Sequence, residues 1–242
     1  EILNASVDGK YQLTNLGSAL INQINKYYAF GEVKEIPDQR FRFNVNIYNP
    51  KFLKNFVPEL TSFSPSRMSG LIDTQKDSLK MDAWFPQVVY GDFKVDSTSL
   101  NVNNDNQALN YKLLIRSVQS PSLALYNTEI GGAAANNNLG LNIFVRDSKR
   151  QDKYILGGTF KSINKDFQFS LDPEKFLLNY EKWSVAPDNY IQFGKSGVLA
   201  NRFNLSKDGQ LLSINSEGNA PNSPLKVEFK DVRIETLRSF AA

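Results

Sequence analysis

The 242-residue sequence has no cysteine and no histidine. Together these absences exclude disulfide frameworks, thiol nucleophiles, zinc sites built on Cys or His, Ser-His-Asp triads and imidazole general bases. Any catalysis would fall to carboxylates, lysine, tyrosine or serine. The missing cysteine fits an oxidising or export compartment, where an unpaired thiol is a liability. No stretch reaches the ~18 to 20 consecutive apolar residues that span a bilayer. The opening EILNASVDGK lacks the basic start and apolar centre of a signal peptide and begins in mid-pattern, so the chain is expected to be an excerpt of a longer one. An excess of one charge is lacking too. The 28 basic and 25 acidic residues leave a net charge of +3, scattered along the chain, which gives no footprint for nucleic acid.

What is present is alternation. One helix is expected near the start, in TNLGSALINQINKYYAF, where Leu16, Leu20, Ile24 and Tyr27 or Tyr28 recur at helical spacing. Thr14 or Asn15 is placed to cap it and Gly31 to end it. RFRFNVNIY then puts Phe41, Phe43, Val45 and Ile47 on one face of a strand. NPKFLKNFVPEL, bounded by Pro50 and Pro58, suggests a short helix carrying Phe52, Leu53, Phe56 and Val57.

From Met68 onward the chain reads as strand, polar turn and strand back. Leu79, Met81, Ala83 and Phe85 share a face. Phe93 and Val95 open the next strand, which Leu100 and Val102 extend, and Leu109, Tyr111, Leu113 and Ile115 form another. After the small-residue turn IGGAAANNN come Leu139, Leu141, Ile143 and Val145, then Leu156 and Phe160, then Phe167 and Phe169. DPEKFLLNY reads as one or two helical turns, with Asp172 as cap and Pro173 in the first position. Short strands follow to the end, through the turns GKSG and KDG. The fold class is therefore mainly β: a long antiparallel meander with one N-terminal amphipathic helix and one or two short helices. It reads as a single β-rich piece, 1–242. The best internal boundary lies at PSRMSG, dividing a helix-containing part, 1–66, from the meander, 67–242.

Strands that alternate cleanly have one dry face and one wet face, and the dry face must be covered. A single helix cannot cover about ten strands. Either the sheet closes on itself as a sandwich or barrel, or it curls into a groove that meets something apolar.

Several stretches bear on that choice. They are NPKFLKNFVPELTSFSPSRMSG, LKMDAWFPQVVYGDFKVDSTSLNV with its Pro-x-x-x-Tyr-Gly break, LNYKLLIRSVQSP and FSLDPEKFLLNYEKWSVAPDNYIQFGKSGVLANRFNLSKDGQLLSINS. Over most of residues 40 to 240 the texture resembles the TamB translocation and assembly family, related to AsmA, in its Bacteroidota versions. The resemblance implies an internal segment of a long envelope protein, anchored in the inner membrane and spanning the periplasm as a taco-like apolar groove or half-open barrel. It implies phospholipid or other acyl chains as cargo, in the service of outer-membrane biogenesis. An outer-membrane barrel of the assembly-factor family is the implied partner through the full-length chain. No catalytic residue, metal or cofactor is implied. The lining would come from Leu79, Met81, Ala83, Phe85, Leu109, Tyr111, Leu113, Ile115, Leu139, Leu141, Ile143, Val145, Leu156, Phe160, Phe167 and Phe169. Pro86 and Tyr90-Gly91 are where the strand is expected to bend or break as the sheet curls. The N-terminal helix departs from a uniform groove and would cap or plug it.

The competing reading is a closed β-sandwich envelope module with a structural or carbohydrate-binding role, in which Trp183 and Tyr190 form a stacking platform for sugar rings. An enzyme would need paired carboxylates from Asp92, Asp96, Asp172, Glu174, Glu181 and Asp188, most of them at turn or polar-face positions where solvated carboxylates are expected. The glycines of LGGTF and FGKSG lack a phosphate-binding pattern.

Overall fold

Period-two alternation, with Asn, Asp and Gly between the runs, produces hairpins wherever neighbouring strands can pair. The computed structural model describes residues 2–48, 55, 57–105, 107–163 and 166–232. They fall into two compact units, Glu1–Asn136 and Asn137–Ala242. Among the described residues the protein is mainly β, an antiparallel meander with one helix.

The first unit contains β1 (Leu3–Lys10), α1 (Leu16–Asn25), β2 (Arg40–Ile47), β3 (Leu60–Phe63), β4 (Ser66–Asp73), β5 (Ser78–Tyr90), β6 (Phe93–Asp105), β7 (Ala108–Gln119) and β8 (Ala124–Ala135). Its strands pair in the order β1-β2-β4-β5-β6-β7-β8, with β3 added beside β5. Every pairing is antiparallel. PSRMSG falls at β4, which bonds β2 on one side and β5 on the other. Turn chemistry fixes the hairpins. Asp77 and Gln107 both have positive φ, the conformation that tight turns require. IGGAAA itself is strand.

The second unit contains β9 (Asn138–Arg146), β10 (Asp152–Ile163), β11 (Asp166–Leu178), β12 (Glu181–Lys182), β13 (Ser184–Val185), β14 (Tyr190–Gly194), β15 (Gly197–Asn201), β16 (Phe203–Lys207), β17 (Gln210–Ser216) and β18 (Leu225–Lys230). One layer runs β9-β10-β11-β14-β15, with β12 on β11, and a second layer runs β13-β16-β17-β18.

Two local expectations change, at DPEKFLLNY and at the ends of the helix. DPEKFLLNY is not helical: β11 continues through it to Leu178. The register against β10 jumps from Leu156↔Phe176 to Gly158↔Leu171, so the residues between form a bulge. Asp172 Oδ1 accepts the Glu174 N–H at 3.0 Å there, and Pro173 sits where no ladder N–H is demanded. At the helix, a 3-10 turn (Leu13–Asn15) leads in and Asn15 caps without a side-chain bond. The helix ends at Asn25, whose Oδ1 accepts the N–H groups of Phe30 and Gly31 at 2.8 and 3.0 Å. At Pro86 β5 is interrupted without ending: the strand runs on and keeps its register, but pairing with β6 skips Pro86 between Phe85↔Thr98 and Gln87↔Asp96. Tyr90 ends that strand and Gly91 (φ 54°) begins the turn. The short helix expected in NPKFLKNFVPEL lies largely outside the described residues; Leu60 opens β3.

Candidate functional site

Register gathers the alternating apolar residues of the first unit into rows on one face. Phe43, Gly70, Met81, Val102, Tyr111 and Gly132 stand opposite one another in succession across β2, β4, β5, β6, β7 and β8. The next row holds Ala5, Val45, Met68, Ala83, Leu100, Leu113 and Ile130, and the one beyond runs through Phe85, Thr98, Ile115 and Thr128. The expected lining residues Met81, Ala83, Phe85, Tyr111, Leu113 and Ile115 therefore share one continuous face. Apart from the small, buried Ala83, each of these six is half-buried. Burial pushes the Tyr111 hydroxyl pKa up, in keeping with its apolar surroundings opposite Gly132.

The row at one end is different. Phe41, Ile72, Leu79, Leu109 and Ala134 are all buried. They lie in line with Asn104, whose Nδ2 donates to the Tyr27 Oη at 2.9 Å. Tyr27 belongs to the deepest line of the helical segment, Ala19, Gln23 and Tyr27, so α1 caps this end of the face. Lys26 adds a 2.7 Å ion pair to Asp77, and Gln39 Oε1 accepts the Gln12 N–H at 2.6 Å.

The other end is marked in sequence and structure together. Pairing skips Pro86, Ser97, Arg116 and Asn127, which are in register across β5 to β8. Ser97 and Asn127 have φ of 52° and 44°. Beyond this line the apolar positions change parity in all four strands, to Val88, Val95, Val118 and Leu125. A polar strip lies beside it. Asp96 accepts from Gln87 Nε2 at 2.8 Å and from the Ser117 hydroxyl at 3.3 Å, with the Lys94 ammonium 3.5 Å away. The Gln87 bond foremost, with Lys94 and Ser117 helping, holds the Asp96 carboxyl below its ordinary pKa.

In the second unit the remaining eight expected residues also share a face. Leu139↔Phe160, Ile143↔Leu156, Val145↔Tyr154 and Phe160↔Phe169 are direct pairs, and Leu141 and Phe167 lie on the same side. The Phe160 and Phe169 rings are 4.5 Å apart. This face is partly covered: Leu156 and Phe169 pack on a core of Leu171, Phe176, Trp183, Val185 and Leu205, with Phe203 and Leu212 from the second layer. Trp183 is 1% exposed, so its ring cannot serve as a sugar platform.

Several of the carboxylates considered for catalysis are engaged locally. Asp172 pairs with Lys175, Glu181 with Lys207, and Asp188 with Arg202. Lys207 lies between Asp208 and Glu181, which raise its pKa.

Sequence reading left Leu100 and Val102 out of the lining; the switch of apolar parity between Val95 and Leu100 is the sequence signal that could have placed them. It missed the Trp183 core because strands of two residues carry no period. Comparison with protein-family models, curated proteins and solved structures gives no match.

Proposed function

We propose that the chain is a non-enzymatic segment of a TamB/AsmA-like envelope protein. Its apolar sheet face receives the acyl chains of phospholipids during transfer across the periplasm for outer-membrane biogenesis. One observation carries this reading: in the first unit, rows of half-buried apolar side chains run in register across six or seven strands, and α1 covers only the end row. Burying such a side chain fully is worth ~1.5–3 kcal/mol, and each methylene of an acyl chain laid against the face recovers ~0.8 kcal/mol. The sequence texture of residues 40 to 240 supports the family and, with it, an inner-membrane anchor and an outer-membrane barrel partner for the full-length protein. No helix among the described residues is long and apolar enough to cross a membrane, so this proposal assigns the anchor to other parts of the protein.

Lipid extraction and mass spectrometry of natively purified protein is the test. Phospholipid should co-purify, and Leu113→Asp should remove most of it while circular dichroism stays unchanged, because an ionised group against hydrocarbon costs several kcal/mol. Folded protein free of lipid would contradict the proposal.

The sandwich reading keeps one specific support. In the second unit the small layer and Trp183 already fill part of the equivalent face. Under that reading this unit is a self-closed structural module beside a lipid-binding one.

A further inference from the structure

The opposite, polar face of the first unit carries an electrostatic arrangement that its own residues leave unresolved. Lys10 at the end of β1 stands directly across from Arg40 in β2. Two cations facing each other on an antiparallel pair repel, so this juxtaposition is unfavourable unless an anion bridges it. Close approach enforces it. Gly9, with φ of 131°, lies so near the Arg40 carbonyl that any Cβ would collide with it, which draws the end of β1 against β2.

Arg42, two residues along β2, projects to the same side. Lys76 comes from the β4–β5 turn, held by a 3.0 Å bond from its N–H to Asp73 Oδ1. All four cations line one depression of about 540 Å³, together with Asp8 and Asp73. Asp73 Oδ2 is 3.3 Å from the Arg40 Nε, which commits that carboxylate. Asp8 stands opposite Arg42 across the ladder. Four positive and two negative groups leave a surplus of two positive charges in a concave site. Arg42 and Arg40 supply planar guanidinium donors suited to paired oxygens, and Lys10 and Lys76 supply point charges.

We propose that this depression binds a phosphate-type oxyanion, carried either by a soluble phosphoester or by a phospholipid headgroup. The site lies on the wet side of the sheet, so it is independent of the acyl-chain reading.

Isothermal titration of the full chain with pyrophosphate, at low salt and again at higher salt, is the first arm. Saturable binding that weakens with salt is expected. Arg42→Gln and Lys10→Gln should each weaken it about tenfold or more, as loss of a charge-assisted contact does. Arg67→Gln, which alters the same face outside this depression, should leave it unchanged. The second arm is flotation with phosphatidylcholine vesicles with and without phosphatidylglycerol. Recruitment by phosphatidylglycerol that Arg42→Gln abolishes assigns the anion to a headgroup; pyrophosphate binding without recruitment assigns it to a soluble phosphoester. Absence of saturable pyrophosphate binding, or equal binding by wild type, Arg42→Gln and Lys10→Gln, would overturn the proposal.

Discussion

Trp183 and Asp96 illustrate how differently single residues serve this fold. The Trp183 indole is fully buried among Leu171, Phe176, Val185 and Leu205, and its removal leaves a cavity that a short-stranded layer cannot close. Trp183→Ala should cost about 3–5 kcal/mol in denaturant unfolding; a change below about 1 kcal/mol would place the ring outside the core. Asp96 acts through charge. Its folded-state pKa is lowered, chiefly by the Gln87 bond, so its stabilising contribution is present above the ordinary carboxylate pKa of about 4 and is lost as pH falls through the lower folded value. The stability gap between wild type and Asp96→Asn should be full at pH 7 and shrink steadily below about pH 4. A gap independent of pH would show that the carboxylate charge contributes nothing.

Among the elements, α1 is the one with an internal conflict. Gln23 lies on its buried line, 1% exposed, and neither side-chain amide atom has a hydrogen-bond partner. An unsatisfied buried amide is costly, and replacing it with an apolar group of similar size removes the penalty. Gln23→Leu should therefore raise stability by about 1–2 kcal/mol in chemical denaturation; a loss of stability would mean that the amide is satisfied in solution. The helix itself was legible from Leu16, Leu20, Ile24 and Tyr27 or Tyr28; the tyrosines are buried, the other three only half-buried, and Ala19 and Gln23, which that reading passed over, are buried deepest. Glutamine at a core position defeats a reading based on hydrophobicity. The strands were legible for a simpler reason: thirteen-residue strands such as β5 and β6 repeat their period often enough to be unmistakable. DPEKFLLNY misled because the Asx-type bond at Asp172 and the proline serve a helix start and a strand bulge equally well. Only the partner strand decides between them.

At the scale of the whole molecule, two compact units treat the same kind of apolar face in two ways. In the first, α1 covers one buried row and leaves the adjoining rows half-exposed. In the second, a short-stranded layer packs on the face through Leu205, Leu212 and Phe203. The sixteen side chains expected to line a groove were legible as face-sharing sets, since period-two alternation fixes the side of each residue once one is placed. What covers each set was not legible, because that depends on contacts between residues far apart in sequence. By the proposal, the first unit's apolar face meets lipid. Its most direct test is photo-crosslinking in cells, with a photoreactive residue placed in turn at Leu113 and at Leu114, adjacent positions on opposite faces of β7. Leu114 is 39% exposed and the more accessible of the two, so accessibility alone would favour adducts there. Phospholipid adducts are expected at Leu113, with few or none at Leu114. Equal labelling at both positions, or none at Leu113, would contradict it.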